Sequence, residues 1–313
     1  MTGAERQRII RGWRRNEYIR LAPGLYMDSD HYEDLSREEQ AQARVVAYAC
    51  LAASSVVVGP SAARLWGFPV AVDNNTLQEE KIHLASTAMR TRRQPLVRYL
   101  KIGRSHADCI VEVETDYGTV QVTDEVTTAL DLARWSSLDE AVRALDHGLQ
   151  QALFDREQLT TRVSDMAGVI GVGDMREAVA LASEGSESPR ETDVKLLLWR
   201  MGLAAPMQQV NISSHRQVWI GRADFFYPEL GLVIEYDGAG KYQDPEDGET
   251  TKAKEYDQDR DYRMNGLVTI HICDETLRNG TAEELIGRYV AALSSVGQPY
   301  PEHLWTAECV AWN

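Results

Sequence analysis

The feature that most constrains this chain is a pair of short β-forming runs, Arg222-Ala223-Asp224-Phe225-Phe226-Tyr227 and Leu232-Val233-Ile234-Glu235-Tyr236-Asp237-Gly238. Each carries a carboxylate at an end of an apolar stretch. A hairpin between the runs brings Asp224 and Glu235 side by side. Two carboxylates set together in a partly buried place repel and lose hydration, and a hard divalent cation is the usual compensation. The same residues also suit a plain structural role, as strand-end acids with one of them bridged to Arg222.

The flanking sequence adds to this pair. Upstream, Ser188-Pro189-Arg190-Glu191-Thr192 has the form of a helix start, a capping Ser with Pro next and Glu three residues on, opening the apolar run Val194 to Trp199. Downstream, the helical stretch Asp259-Arg260-Asp261-Tyr262-Arg263, read as basic, precedes the strand Val268 to Ile272. The order is helix with Glu, strand with Asp, strand with Glu, helix, strand. Over residues 186 to 295 this resembles the PD-(D/E)XK nuclease superfamily, in its branch related to very-short-patch mismatch-repair endonucleases. The resemblance implies an α/β restriction-endonuclease-like domain over 190–313. It also implies a metal site of Asp224 and Glu235 holding Mg²⁺ or Mn²⁺, and a catalytic set of Glu191, Asp224, Glu235, Asp237 and Lys241. The chain departs from the superfamily at one point: Asp237 stands two residues after Glu235, where the pattern has lysine. Lys241 is either a migrated lysine entering from the following loop or a solvated loop residue.

The net charge of −15 looks adverse for a nucleic-acid binder, but it is unevenly distributed. Up to residue 104 there are 16 Lys and Arg against 11 Asp and Glu; residues 105–187 hold 5 against 17, and the remainder 12 against 20. A basic first third beside an acidic middle points to a localised polyanion-binding face.

That first third reads as a charged helix, the strand–turn–strand Tyr18 to Tyr26 around Pro23-Gly24, a helix capped by Ser36, and a second helix from Ser61 to Gly67. Helix, short hairpin and two helices suit a winged-helix module over 1–75. The stretches Arg20 to Tyr26 and Ser61 to Gly67 resemble the amino-terminal domain of the type IV (abortive-infection) antitoxins, which implies DNA as partner, with a cognate toxin or other protein as a further one. Arg11, Arg14, Arg15, Arg20 and Arg64 are the expected DNA-binding residues; alternatively the Arg cluster is the solvated face of a first helix.

Residues 76–183 read as four strands followed by helices, an α+β antitoxin-like region with a second basic cluster at Arg90 to Arg93. The stretch 184–189, Glu-Gly-Ser-Glu-Ser-Pro, has linker composition. Cys50, Cys109, Cys273 and Cys309 form no Cys-x-x-Cys pair, and no apolar run reaches the roughly 18 residues of a membrane span, so a cytoplasmic protein with no membrane partner is expected. The seven histidines lack metal-site spacing; His271, on the strand after the helix read as basic, either faces the site or is a satisfied strand histidine, the expected role. The resulting expectation is a metal-dependent DNA endonuclease targeted by its winged helix. The alternative is a DNA-binding regulator or antitoxin with a non-catalytic nuclease-like domain.

Overall fold

The computed structural model describes residues 3–51, 55–70, 80–86, 96–238, 256–296 and 298–312. The chain is a mixed α/β protein that divides into two units, 1–144 with 154–178, and 145–153 with 179–313.

The first unit opens with helix α1 (Gly3–Arg14) and an antiparallel hairpin, β1 (Tyr18–Ala22) and β2 (Leu25–Asp28). Gly24 takes φ +87° in the hairpin turn, a conformation open to glycine at little cost. Asp28 caps the short α2 (Ser29–Asp34). Ser36 opens α3 (Arg37–Leu51) with a reciprocal cap, Glu39 N donating to Ser36 Oγ at 3.3 Å and Ser36 N to Glu39 Oε2 at 2.7 Å. The small and branched face of α3, Ala43, Val46 and Ala47, packs on a five-stranded sheet through Val57, Leu84, Val120 and Val122.

That sheet runs β5-β4-β3-β7-β6, with β3 (Ser55–Val57), β4 (Ile82–Ser86), β5 (Val97–Leu100), β6 (Ile110–Thr115) and β7 (Gly118–Thr123). The β3/β7 and β4/β5 pairs are parallel and the others antiparallel. One sheet therefore takes strands from both sides of residue 75. Helix α4 (Gly59–Leu65) follows β3, and α5 (Glu125–Trp135) and α7 (Arg156–Asp165) are capped by Asp124 and Asp155. The division between the units falls inside α6 (Leu138–Gln150) and α8 (Val172–Leu181).

The second unit is built on the sheet β11-β10-β9-β8-β12: β8 (Met207–Ser213), β9 (Trp219–Tyr227), β10 (Leu232–Asp237), β11 (Val268–Cys273) and β12 (Trp305–Thr306), with β13 (Cys309–Val310) also on β8. Only β10/β11 is parallel. Strand alternation sorts the side chains. Phe225, Leu232, Ile234, Ile270 and Ile272 pack against Val194 and Leu198 of α9 (Pro189–Arg200) and Ile286 of α12 (Thr281–Val296). Phe226 and Val233 face the other way, against Tyr262 of helix α10 (256–264), Tyr300 and Leu304. Each fully buried Phe or Ile adds about 1.5–3 kcal/mol, so this two-faced core holds the central strands firmly. Helix α11 (Asp274–Asn279) directly follows β11.

The stretch 184–189 packs more closely than its composition suggests. Gly185 and Ser186 are buried, and a Cβ on Gly185 would lie 2.6 Å from Cys309 Sγ.

Candidate active site

Glu191 is placed by the start of α9. Ser188 caps the helix, accepting from Glu191 N at 3.2 Å, and Pro189 follows at a position where its missing N–H costs nothing. The Glu191 carboxylate folds back over the helix start. It accepts from Glu187 N at 2.8 Å, Ser188 Oγ at 2.9 Å and Gln209 Nε2 at 3.0 Å. Gln209 comes from β8, is buried, and takes φ +52°, an uncommon conformation for a residue with a side chain. Burial, together with the charge of Asp224, pushes the Glu191 carboxyl up to about 7 despite these three donors.

Asp224 sits on β9 and Glu235 on β10. The antiparallel ladder pairs Val233 with Phe226 and Ile234 with Phe225, and Asp224 and Glu235 are the residues that directly follow its last pair. Tyr236 N donates to Asp224 Oδ2 at 2.8 Å, which holds this carboxylate against β10. The parallel ladder continues the row, pairing Glu235 with His271 of β11. Alternation puts Glu235 and His271 on the Val233 face, beside α10, and the charges of Glu235 and Asp224 both act on Tyr262 of that helix. Glu235 Oε1 is shut off from solvent. Arg222, the candidate bridge to one of these acids, instead binds Glu187 at 2.5 Å and Glu308 at 3.1 Å.

Asp237 lies two residues beyond Glu235 and shares its face of β10. It contacts His271 Nδ1 at 2.9 Å, while Asp259 of α10 contacts His271 Nε2 at 3.2 Å. The Asp237 hydrogen bond leads the forces that raise this imidazole to about 9, with burial opposing, so His271 is a cation at neutral pH. Next to Asp259 on α10, Tyr262 is fully buried, and burial with the charge of Glu235 pushes its hydroxyl up. Gly221 on β9 makes room for this helix, since a Cβ there would fall 2.8 Å from Tyr262 Oη.

The expected residues thus separate. Asp224 is near enough for its charge to act on Glu191, the charges of Glu235 and Asp224 both act on Tyr262, and Asp237 turns to His271. Lys241 and the cluster Arg90 to Arg93 lie outside the described residues. Arg64, expected at a DNA surface, is 2% exposed and is ion-paired with Glu38 and Glu80; its guanidinium holds α4 to α3 and cannot reach a phosphate on the surface. Arg11, Arg14, Arg15 and Arg20 are exposed. The helix read as basic carries Asp257, Asp259 and Asp261 beside Arg260 and Arg263, and Asp259 uses its charge on His271. Among the described residues, no cluster of three or more His, Cys, Asp or Glu has the geometry to hold a metal by itself.

Two residues escape the sequence reading, Gln209 and Tyr262. Gln209 has one weak signal, a Gln pair opening the otherwise apolar alternation of Val210 and Ile212. Tyr262 has none beyond its place in the helix before β11. His271 is a satisfied strand histidine, as expected, and its partners are the carboxylates of Asp237 and Asp259.

No family model matches the chain. Two curated relatives are similar to part of it: the uncharacterized protein MT2308 of Mycobacterium tuberculosis strain CDC 1551 / Oshkosh and the uncharacterized protein Rv2248 of strain ATCC 25618 / H37Rv. Each is 30% identical over 111 residues, a stretch that covers 35% of this chain and 40% of the relative. The chain thus spans about two fifths of the length of the curated relatives it matches.

Proposed function

We propose that the second unit is a metal-dependent DNA endonuclease domain of the PD-(D/E)XK type and that the exposed arginines of the first unit bring it to DNA. The observation that carries this reading is the hairpin ladder ending at Ile234 and Phe225, which brings Asp224 and Glu235 to the positions directly after it, with Tyr236 N bound to Asp224 and Glu191 close enough to feel the charge of Asp224. The donor set fits a hard cation: Mg²⁺ binds through one or two carboxylates and completes its shell with water and substrate phosphate. Asp224 and Glu235 would hold it, and when bound it supplies Lewis-acid stabilisation of the phosphoryl oxygen and a more acidic water. Crowded carboxylates are what such a cation relieves, and Glu191 has its proton affinity raised by burial first and by the charge of Asp224 second.

The chain's own residues divide the remaining work. Glu191, with a carboxyl that titrates near 7, accepts a proton from an attacking water at neutral pH. Gln209 and Ser188 fix its orientation. His271 supplies positive charge on the face where the superfamily pattern has its lysine, and Asp237 and Asp259 hold that charge in place.

One observation favours a second reading, a regulator whose nuclease fold no longer cleaves. Asp237 replaces the patterned lysine and is engaged by His271. Plasmid nicking in Mg²⁺ or Mn²⁺ separates the two readings. Cleavage by the wild-type chain that disappears in Asp224→Ala is expected; a wild-type chain that binds DNA and never nicks it under either metal establishes the regulator.

A further inference from the structure

The first unit contains a cavity of about 490 Å³ that the endonuclease reading leaves unused. It lies among the end of α1, the β1 strand and α3, and its volume falls in the range of small-molecule sites. Its lining is unusual for a gap in a core. Trp13, Tyr18, Tyr32 and Tyr48 present four aromatic rings, and Arg20 and Arg44 present two guanidiniums. Among the described residues lining it, none is acidic.

Several contacts build this shape. Ser29 Oγ donates to Asn16 O at 2.6 Å and Ser29 N to Glu17 O at 3.1 Å, which fixes the loop at the rim, where Asn16 takes φ +61°. Trp13 is held between Tyr26, ring centroids 6.1 Å apart, and Arg20, whose guanidinium carbon is 5.9 Å from the Trp13 ring. Tyr18 closes directly onto the backbone of α1 at Gly12, where a Cβ would come within 2.6 Å of two ring carbons. Arg44, on α3, is 5% exposed. A guanidinium in the wall of an aromatic cavity suits an anion arriving on a planar group.

We infer that this cavity binds a nucleotide, with the base stacked among the Trp13 and tyrosine rings and the phosphate held by Arg44 and Arg20. Aromatic walls accept any base because every base has a π-face, and guanidinium forks match phosphate oxygens two at a time. The nucleotide is either free in solution or the 5′ end of a DNA strand. The inference stands apart from the endonuclease reading, since it uses no residue of the second unit.

The test is equilibrium binding to the intact two-unit chain, with adenosine monophosphate, thymidine monophosphate, adenosine and inorganic phosphate as probes. Both monophosphates are expected to saturate at one per chain and to bind at least about tenfold more tightly than adenosine or phosphate alone. Trp13→Ala, at an exposed wall where folding is safe, should weaken the monophosphates by about tenfold through lost stacking. Gly12→Ala should weaken them similarly by displacing Tyr18, and Arg44→Lys should reduce the preference for monophosphate over nucleoside, because an ammonium lacks the planar fork. Competition by a 5′-phosphorylated oligonucleotide, but not by its unphosphorylated form, assigns the ligand to a strand end; absence of that competition assigns it to the free nucleotide. Failure of both monophosphates to saturate the folded wild-type chain overturns the inference. Equal affinity in wild type, Trp13→Ala and Gly12→Ala overturns it too.

Discussion

Helix α9 carries two buried charged side chains one turn apart, and their surroundings could hardly differ more. Lys195, 1% exposed, donates to both oxygens of Asp146, at 2.7 and 2.6 Å, and to Ser183 Oγ at 3.0 Å. Asp146 in turn accepts from Thr192 Oγ1 at 2.8 Å and Ser183 N at 2.8 Å, and Ser183 Oγ donates to Gln208 Oε1 at 2.7 Å. Charge meets opposite charge, and the network closes on itself. Glu191, also buried, has three hydrogen-bond donors but faces the like charge of Asp224, and its carboxyl rises to about 7. A buried pair of this first kind locks a helix to its neighbours, whereas acids gathered as in the second work against stability. Strain of that sort is commonly found where a cation or substrate is to be received.

Breaking the saturated network should give the largest effect. Lys195→Met strands Asp146 in the core and is expected to cost about 3–5 kcal/mol in urea unfolding. The double replacement Lys195→Met with Asp146→Leu should recover part of that loss, because no buried charge then remains. A loss below 1 kcal/mol in the single variant would mean that solvent reaches Asp146, and the comparison would fail.

The crowded acids should respond in the opposite direction. Because the folded-state value for Glu191 is raised, its contribution is fully present below about pH 4.5 and disappears as pH rises through about 7. Glu191→Gln removes that penalty and should be more stable than wild type at pH 8, by on the order of 2–3 kcal/mol, while being no more stable at pH 4.5. Paired denaturation curves at the two pH values check this. An equal difference at both would show that the proton affinity of Glu191 is ordinary. Activity, if present, should fall in the same variant.

His271 sharpens the comparison, since it is a cation that answers two of the carboxylates near the site. Its raised value means that its stabilising contribution is complete below about pH 6.5 and is lost as pH rises through about 9. Its side chain is 31% exposed, so the wild-type loss across that window should be on the order of 2 kcal/mol after allowance for screening. His271→Asn should flatten this part of the profile. A persisting slope in that variant would assign the titration to another group.

The smallest effect is expected at the exposed end of the scale. Arg15 lies 3.8 Å from Glu17 with both side chains in solvent, so Arg15→Gln should change stability by less than about 1 kcal/mol. If Arg15 touches phosphate, the same change lowers the salt slope of DNA binding by about 0.9. An unaltered slope makes it a solvated residue.

Local chemistry was open to reading in the sequence. The Ser36 and Ser188 caps, the Pro23-Gly24 turn and the strands carrying Asp224, Glu235 and His271 all depend on residues within a few positions of one another, and the structure forms each of them. So was the hairpin of the two runs, because a short connection between two β runs leaves few registers that bury both apolar faces.

The partners of single charged side chains were decided by tertiary structure. Arg64 looks like a surface arginine in its own helix, yet Glu38 and Glu80, 26 and 16 residues away, take it into the core. Asp146 and Lys195 are 49 residues apart, and Gln209 meets Glu191 across 18. His271 gains its charge from Asp237 and Asp259, 34 and 12 residues distant, only because β11 pairs in parallel with β10 and α10 crosses the same face. Backbone preference is set by near neighbours and survives in the sequence. The charge state of a buried group is set by whatever the folded chain packs against it, and that is known only once strand order, register and helix placement are known.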